Sequence, residues 1–350
     1  MSERPYIGGQ AVLEGVMMRS PGSLVVAVRR PDGQIAIREE AWETLWPRAR
    51  FLRRPFLRGA IVLVESLLNG FTALAFSAEQ AEPDQPAGGA SSGAPPASGG
   101  EPAPTKTTGS APGSGKAVRG LLLAASFVVM LSLFVAAPHL LTLGVFKLLG
   151  LDTGMRGLAF HLVDGLFRIA ILGGWLALVG QTADAKRLFQ YHGAEHKAIW
   201  TYESAQPLTV ENARRFTTLH PRCGTSFLFV VVGVAVLLHI LVLPWMPVVS
   251  QIGALQTLVV LLVKVALAFP VAGIAYELQR RSARADCPRF LRALVAPGLW
   301  LQRITTIEPS DDQLEIALLA LERALAREQG RPRAEDGVQI YPDFAGALAA

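Results

Sequence analysis

Four stretches of the chain stay apolar for about the length a helix needs to cross a bilayer core, roughly 20 residues for roughly 30 Å. They fall at about 118–138, 158–180, 226–247 and 253–276. A fifth apolar stretch, AIVLVESLLNGFTALAF (60–76), is broken by Glu65, Ser66, Asn69 and Thr72 and is preceded by the basic, aromatic run WPRARFLRRPFLRG. That pattern predicts a helix that lies in or dips into one bilayer face, or packs against the spans.

The pattern changes at both ends. SLVVAVRRPDGQIAIREE (23–40) reads as two strands joined by a Pro-Asp-Gly turn. Before it, GGQAVLEGVMMR (8–19) has paired glycines and an apolar stretch broken by Glu14 and ended by Arg19. Residues 79–116 are Pro, Gly, Ala and Ser, too poor in apolar surface to offset their ordering entropy, and read as a disordered linker. Near the C-terminus, Ser310 followed by Gln313 is a capping-box signal, and Leu314, Leu318, Leu321 and Leu325 make an apolar stripe. This helix is expected to pack on the rest of the cytoplasmic face, and a dimer seam along it would be short for a coiled coil.

The expected fold is therefore mainly α: a multi-pass α-helical membrane protein with about four spans plus an interfacial or re-entrant helix, and a small N-terminal β-rich cap. The segments are a cap (1–41), an interfacial helix (42–78), a linker (79–116), two spans (117–180), a loop segment (181–225), two more spans (226–277) and a helical C-terminal region with a tail (278–350).

Composition supports this. Half of the 350 residues are hydrophobic (51%) and 17% are charged, against about 25% in soluble proteins. The net charge of +5 gathers at the ends of the apolar runs, which fits topology rather than nucleic-acid binding, and no nucleic-acid motif accompanies it. The segment between the second and third spans carries Lys186, Arg187, Lys197, Arg214, Arg215 and Arg222, and that after the fourth carries Arg280, Arg281, Arg284, Arg289 and Arg292. The loop 248–252 has no charge, and the loop 139–157 has only Lys147 and Arg156 as basic residues. The positive-inside rule then puts both termini and residues 181–225 on the cytoplasmic side of the membrane. The start MSERPYIGGQ lacks the apolar core of a signal peptide, and two cysteines, Cys223 and Cys287, make no disulfide framework.

Candidate chemistry concentrates in YHGAEHKAIW (191–200). On a helix His192 and His196 share a face with Glu195 beside them, the H-x-x-E-H spacing of one class of zinc hydrolases. Zinc takes neutral imidazole or thiolate ligands, three or four per site. A third ligand is available downstream in LHPRCGTSF, where His220 and Cys223 stand directly before the third span. Zinc is the expected cation, with iron second. Glu195 is the candidate general base. Glu203, Glu211 and Glu277 are carboxylate alternatives, and Glu14 and Arg19 are supporting polar residues. Within the spans, His161, Asp164 and Arg168 share a helix face, and Asp164 and Arg168 have the spacing of a local ion pair. His139, His161 and His239 fall toward the outer half, where a haem or second metal is the lesser reading.

GGQAVLEGVMMR, RGAIVLVESLLNG, YHGAEHKAIWTYE, LTVENARRFTTLHPRCGTSFL, GIAYE and LQRITTIEPSDDQLEIAL together resemble the YqhQ-like family of multi-pass bacterial membrane proteins. The likeness covers nearly all of the chain outside 79–116. That family is described as predicted metal-dependent enzymes with no substrate attached. The resemblance implies a membrane location and a site at His192, Glu195, His196, His220 and Cys223, with Glu14, Arg19 and Glu277 as further polar members.

Two function classes follow. One is a metal-dependent, hydrolase-type enzyme at the cytoplasmic membrane interface, acting on a lipid-linked or membrane-protein substrate, with Arg19 or another basic residue binding an anionic group. The other is a membrane scaffold, assembly factor or transporter whose metal, if bound, is structural. A closed site with four protein ligands would favour the second, since catalytic zinc keeps a position open.

Overall fold

The structure, a computed structural model, describes residues 5–42, 54–81, 114–151, 157–249, 252–282, 286–331 and 337–349. Most of the predicted linker, most of the basic run before residue 57, and Arg156 and Arg284 lie outside them.

The N-terminal segment is a meander of four antiparallel strands, β1 (Gly8–Val12), β2 (Gly15–Arg19), β3 (Ser23–Arg29) and β4 (Ile35–Ala41). GGQAVLEGVMMR is thus a hairpin: Val12 pairs with Gly15 around the two-residue turn Leu13-Glu14, and Glu14 takes φ +52°. The β3–β4 turn is at Pro31-Asp32-Gly33 as expected, with Gly33 at φ +87°. Strand alternation divides the side chains between two layers. Val16, Met18, Val25, Ala27, Ile35 and Ile37 form one buried face, and Met17, Leu24, Val26, Val28 and Ala36 form the other.

The helices are α1 (Leu57–Ala81), α2 (Ser114–Leu131), α3 (Ala137–Leu148), α4 (Leu158–Val179), α5 (Ala183–Glu203), α6 (Val210–Arg214), α7 (Gly224–Val242), α8 (Gly253–Ser282), α9 (Arg289–Thr305) and α10 (Asp311–Glu328). A strand β5 (Gly337–Tyr341) and a short helix α11 (Phe344–Ala349) follow. The sheet order is β1-β2-β3-β4-β5, so β1 is an edge. The C-terminal region is therefore not all helix and tail, because β5 pairs antiparallel with β4, Ile35 opposite Tyr341. No periodicity within five residues announces a partner some 300 residues away.

α10 begins with the expected capping box, the Ser310 N–H donating to Gln313 Oε1 at 3.0 Å. Its leucine stripe packs with α5 on one face of the sheet, so it is spent inside this chain rather than on a dimer seam. α1 covers the other face with Ala73 and Phe76. Arg323 of α10 is 1% exposed and donates to Glu39 of β4 at 3.3 Å and to the Ala347 carbonyl, which ties the C-terminal elements to the sheet.

Among the described residues, five helical segments are long and apolar enough to cross a membrane: Leu57–Ala81, Ala124–Leu148, Leu158–Val179, Gly224–Trp245 and Gly253–Ser282. The first expected span, 118–138, is displaced. Helix continues to Leu148 through a π-helical turn at Ser132–Ala136, so 139–148 is not loop. Pro138 stands just after this turn. A proline ring displaces the preceding turn of an α-helix, and the π turn accommodates it without ending the helix.

Between these helices lies a buried polar cluster. Lys264 of α8 donates to Asp164 of α4 at 2.8 Å and to His139 Nδ1 of α3 at 3.1 Å, and Arg168 donates to Asp164 at 3.2 Å. The Asp164–Arg168 pair is as the spacing predicts, with Lys264 as an added partner. His139, His161 and His239 are buried nearby, but they form no metal-ligand group among the described residues.

Candidate metal centre

α5 brings the H-x-x-E-H residues into the middle of the molecule. Thr182 caps it, accepting the Ala185 N–H at 3.3 Å. Its second half is buried almost all round, an unusual environment for HGAEHK. Small residues allow it: a side chain at Gly193 would collide with the Ile307 carbonyl, and one at Gly9 of β1 with Glu195. Lys197 remains satisfied in this setting, donating to the Arg214 carbonyl at 3.0 Å and to Glu308.

His192, His196 and Cys223 meet here, with one ligand atom from each lying within 4.8 Å of the others. His192 Nδ1 donates to the Thr305 carbonyl at 2.8 Å, and His196 Nδ1 donates to the Thr218 carbonyl. A carbonyl only accepts, so both imidazoles carry the proton on Nδ1 and present the Nε2 lone pair. His192 Nε2 lies 3.1 Å from Cys223 Sγ, whereas His196 Nε2 is buried without a hydrogen-bond partner among the described residues. Cys223 is the N-cap of α7, and the Thr225 N–H donates to its sulfur at 3.4 Å, so the positive end of a helix faces it. Burial pushes the His196 pKa down, with Cys223 pulling the other way, which keeps the ring neutral, as a ligand must be.

Glu195 is buried beneath Gly9, with Oε2 4.0 Å from His192 Nε2. Desolvation raises its pKa, partly offset by His192 and His220.

His220 is in the same neighbourhood but in a different role. Its Nδ1 accepts the Arg222 N–H at 3.3 Å, and its Nε2 faces Glu203 at 3.5 Å. Its lone pair is thus used, and His220 is outside the three-residue group. Burial lowers its pKa to about 4, Glu195 opposing. Glu203 also pairs with Arg222, whose guanidinium stacks on Tyr6 at 4.6 Å. The remaining polar residues are elsewhere. Glu14 pairs with Arg187 at the β1–β2 turn. Arg19 stacks on Trp42 at 4.0 Å. Glu277 holds Arg58 through two bonds of 2.6 Å, fastening the start of α1 to α8. Glu211 is in the short helix α6.

Several supporting residues carry no motif signal. Gln302 of α9, fully buried, donates to the His220 carbonyl at 2.7 Å and to Ser226 at 2.6 Å, and accepts the His220 N–H at 2.8 Å. Trp200 donates to the Leu219 carbonyl at 2.9 Å, and Gln279 to the Pro221 carbonyl at 2.7 Å. Together they hold the 218–223 loop that presents Cys223.

A cavity of about 410 Å³ opens above the group, lined by His192, Glu195, His220 and Cys223 and walled by Gly8–Ala11 of β1. The arrangement is that of a protein with apolar, span-length helices and a buried histidine–cysteine cluster beneath a small antiparallel sheet. The chain belongs to the family described as "Protein of unknown function (DUF1385)", whose model matches residues 54–327. It is 34% identical over 329 residues to "Uncharacterized protein YqhQ" of Bacillus subtilis (strain 168), covering 93% of each chain. No solved structure matches it. Neither description attaches a metal or an activity.

Proposed function

We propose that this protein is an integral-membrane, metal-dependent hydrolase whose site lies just below the cytoplasmic leaflet. The observation that carries the reading is the convergence of two Nε2 lone pairs, each set by a main-chain carbonyl, on the Cys223 sulfur at the base of an open cavity. Donors around one zinc at 2.0–2.3 Å stand roughly 3.3–3.7 Å apart at tetrahedral angles; the His192 Nε2–Cys223 Sγ pair at 3.1 Å would open slightly to reach that, and every pair already lies within 4.8 Å. Nitrogen and sulfur donors favour zinc, with iron second. The cation would supply Lewis acidity to polarise a carbonyl or activate water. Glu195, raised by burial and beside His192, is placed to take and return a proton. Three protein donors beside a cavity fit a catalytic site better than a closed structural one.

The membrane reading rests on surface chemistry. In the span-length helices only 17–39% of the apolar window is buried, leaving more apolar surface exposed than water tolerates. Orientation follows from pairing: β5 bonds to β4, so residues 41 and 337 share one side and an even number of helices crosses between them. Five candidates cannot all cross. α1 is the exception, since Gly59 abuts Gly273 and Tyr276 of α8 and Ser77 accepts the Leu13 N–H at 3.2 Å, holding it along the sheet side. α9 adds exposed Phe290, Leu294 and Trp300 beside Arg289 and Arg292, the composition of an in-plane interfacial helix. Both termini then share one side, and the positive-inside rule makes that side the cytoplasm.

The test is metal analysis of detergent-purified protein. One equivalent of zinc is expected, and cobalt replacement should give a thiolate charge-transfer band that Cys223→Ala removes. Glu195→Gln should keep the metal and lose hydrolysis. Metal content no higher than in a His196→Ala/Cys223→Ala protein would end the reading.

A further inference from the structure

The cavity is bounded by a sheet edge that no strand among the described residues pairs with, and the phase of the ladder says which groups point into it. Arg29 N–H donates to the Glu14 carbonyl at 2.8 Å, so Glu14, Val16 and Met18 turn their main-chain groups toward β3. Gly15, Met17 and Arg19 therefore bond to Val12, Gln10 and Gly8 of β1. The N–H and C=O groups of Gly9 and Ala11 are left pointing away from the sheet, and both residues line the cavity that holds His192, Glu195 and Cys223. Neither residue makes a further hydrogen bond among the described residues.

We propose that the free edge of β1 is the substrate-binding element, and that the substrate is an extended polypeptide segment which adds to it as a further strand. This inference rests on the metal-site reading above. Natural sheets cover or blunt their edges. This edge instead presents two donor–acceptor pairs, roughly 6.8 Å apart at strand spacing, beside the candidate reactive group. An extended peptide has the same repeat, and its main-chain groups would satisfy all four. Gly9 lets Glu195 lie directly against this edge, because a side chain there would collide with it. Leu176 and Phe189 give apolar walls for alternate side chains, and Tyr6 closes part of the rim. A lipid headgroup fits less well. The guanidinium that lines the cavity, Arg222, is already paired with Glu203. The reaction is peptide-bond hydrolysis. Glu195 takes a proton from one water as that water's oxygen adds to the acyl carbon, and gives the same proton to the nitrogen as the C–N bond breaks, leaving a carboxylic acid and an amine. No oxidant or reductant is needed.

The probes are acetohydroxamate, acetyl-Leu-Leu-hydroxamate and the same peptide with its amides N-methylated, titrated into zinc-loaded, full-length protein by calorimetry. The peptide hydroxamate is expected to bind at least ten times more tightly than acetohydroxamate, and N-methylation should erase that gain. Ala11→Pro should erase it as well, with acetohydroxamate affinity unchanged, since the Ala11 N–H is not in the β1–β2 ladder. The N-methylated ligand tests the same contact on unaltered protein should that variant misfold. If the peptide gains nothing, or the N-methylated peptide binds as well, the edge is not the binding element although the metal site stands. If acetohydroxamate itself fails to bind, the metal reading falls and this proposal with it. Displacement of acetohydroxamate by glycerol 3-phosphate but not by a free tri-leucine peptide would assign the cavity to lipid headgroups and overturn it.

Discussion

Replacing the candidate donors one at a time separates ligands from neighbours. Structural zinc sites bind with roughly 10–16 kcal/mol over four donors, so each donor contributes about 3 kcal/mol, or on the order of 100-fold in Kd. His192→Ala, His196→Ala and Cys223→Ala remove members of the converging group and should each weaken zinc binding by about that factor. His220→Ala should cost about tenfold, the low end of the roughly 10–100-fold range for a supporting residue. Its Nδ1 accepts the Arg222 N–H, its Nε2 faces Glu203, and its loop stays fastened through Gln302. The measurement is competition with a chromophoric chelator, with the unfolding of each metal-free variant checked against wild type. Two results would refute the reasoning: a loss in His220→Ala as large as in His196→Ala, or losses below about fivefold in all three members of the group.

Other outcomes can be checked independently. Arg323→Met should destabilise the sheet half by about 3 kcal/mol in thermal unfolding, because it removes the cation 3.3 Å from buried Glu39 and leaves Arg327 at 4.0 Å, and Glu39→Gln in the same chain should recover part of the loss. Asp164→Asn removes the carboxylate that both Lys264 and Arg168 contact, and a similar cost should appear as a lower melting temperature in detergent. Single cysteines introduced at Gln80 and at Glu328 in a chain freed of Cys223 and Cys287 should label from the cytoplasmic side. One at Val248 should label only from the opposite side, and labelling of Gln80 from that side would make α1 a true span.

Local pattern carried much of this protein. Alternation gave the β3–β4 hairpin, long apolar runs gave most of the span-length helices, Ser310 and Gln313 gave the start of α10, and a four-residue spacing put His192 and His196 on one helix face. Those features depend on neighbours within a turn or two, which sequence displays directly. Tertiary structure decided the rest. It put Cys223 rather than His220 in the three-residue group, because main-chain carbonyls at Thr305 and Thr218 hold the Nδ1 protons of His192 and His196, whereas His220 Nδ1 accepts the nearby Arg222 N–H. It brought Lys264 to Asp164, Arg323 to Glu39 and β5 to β4, pairings across 100, 284 and some 300 residues. It also left β1 as the open edge over the cavity, since an edge is defined by the strand that fails to arrive, and no stretch of sequence records that.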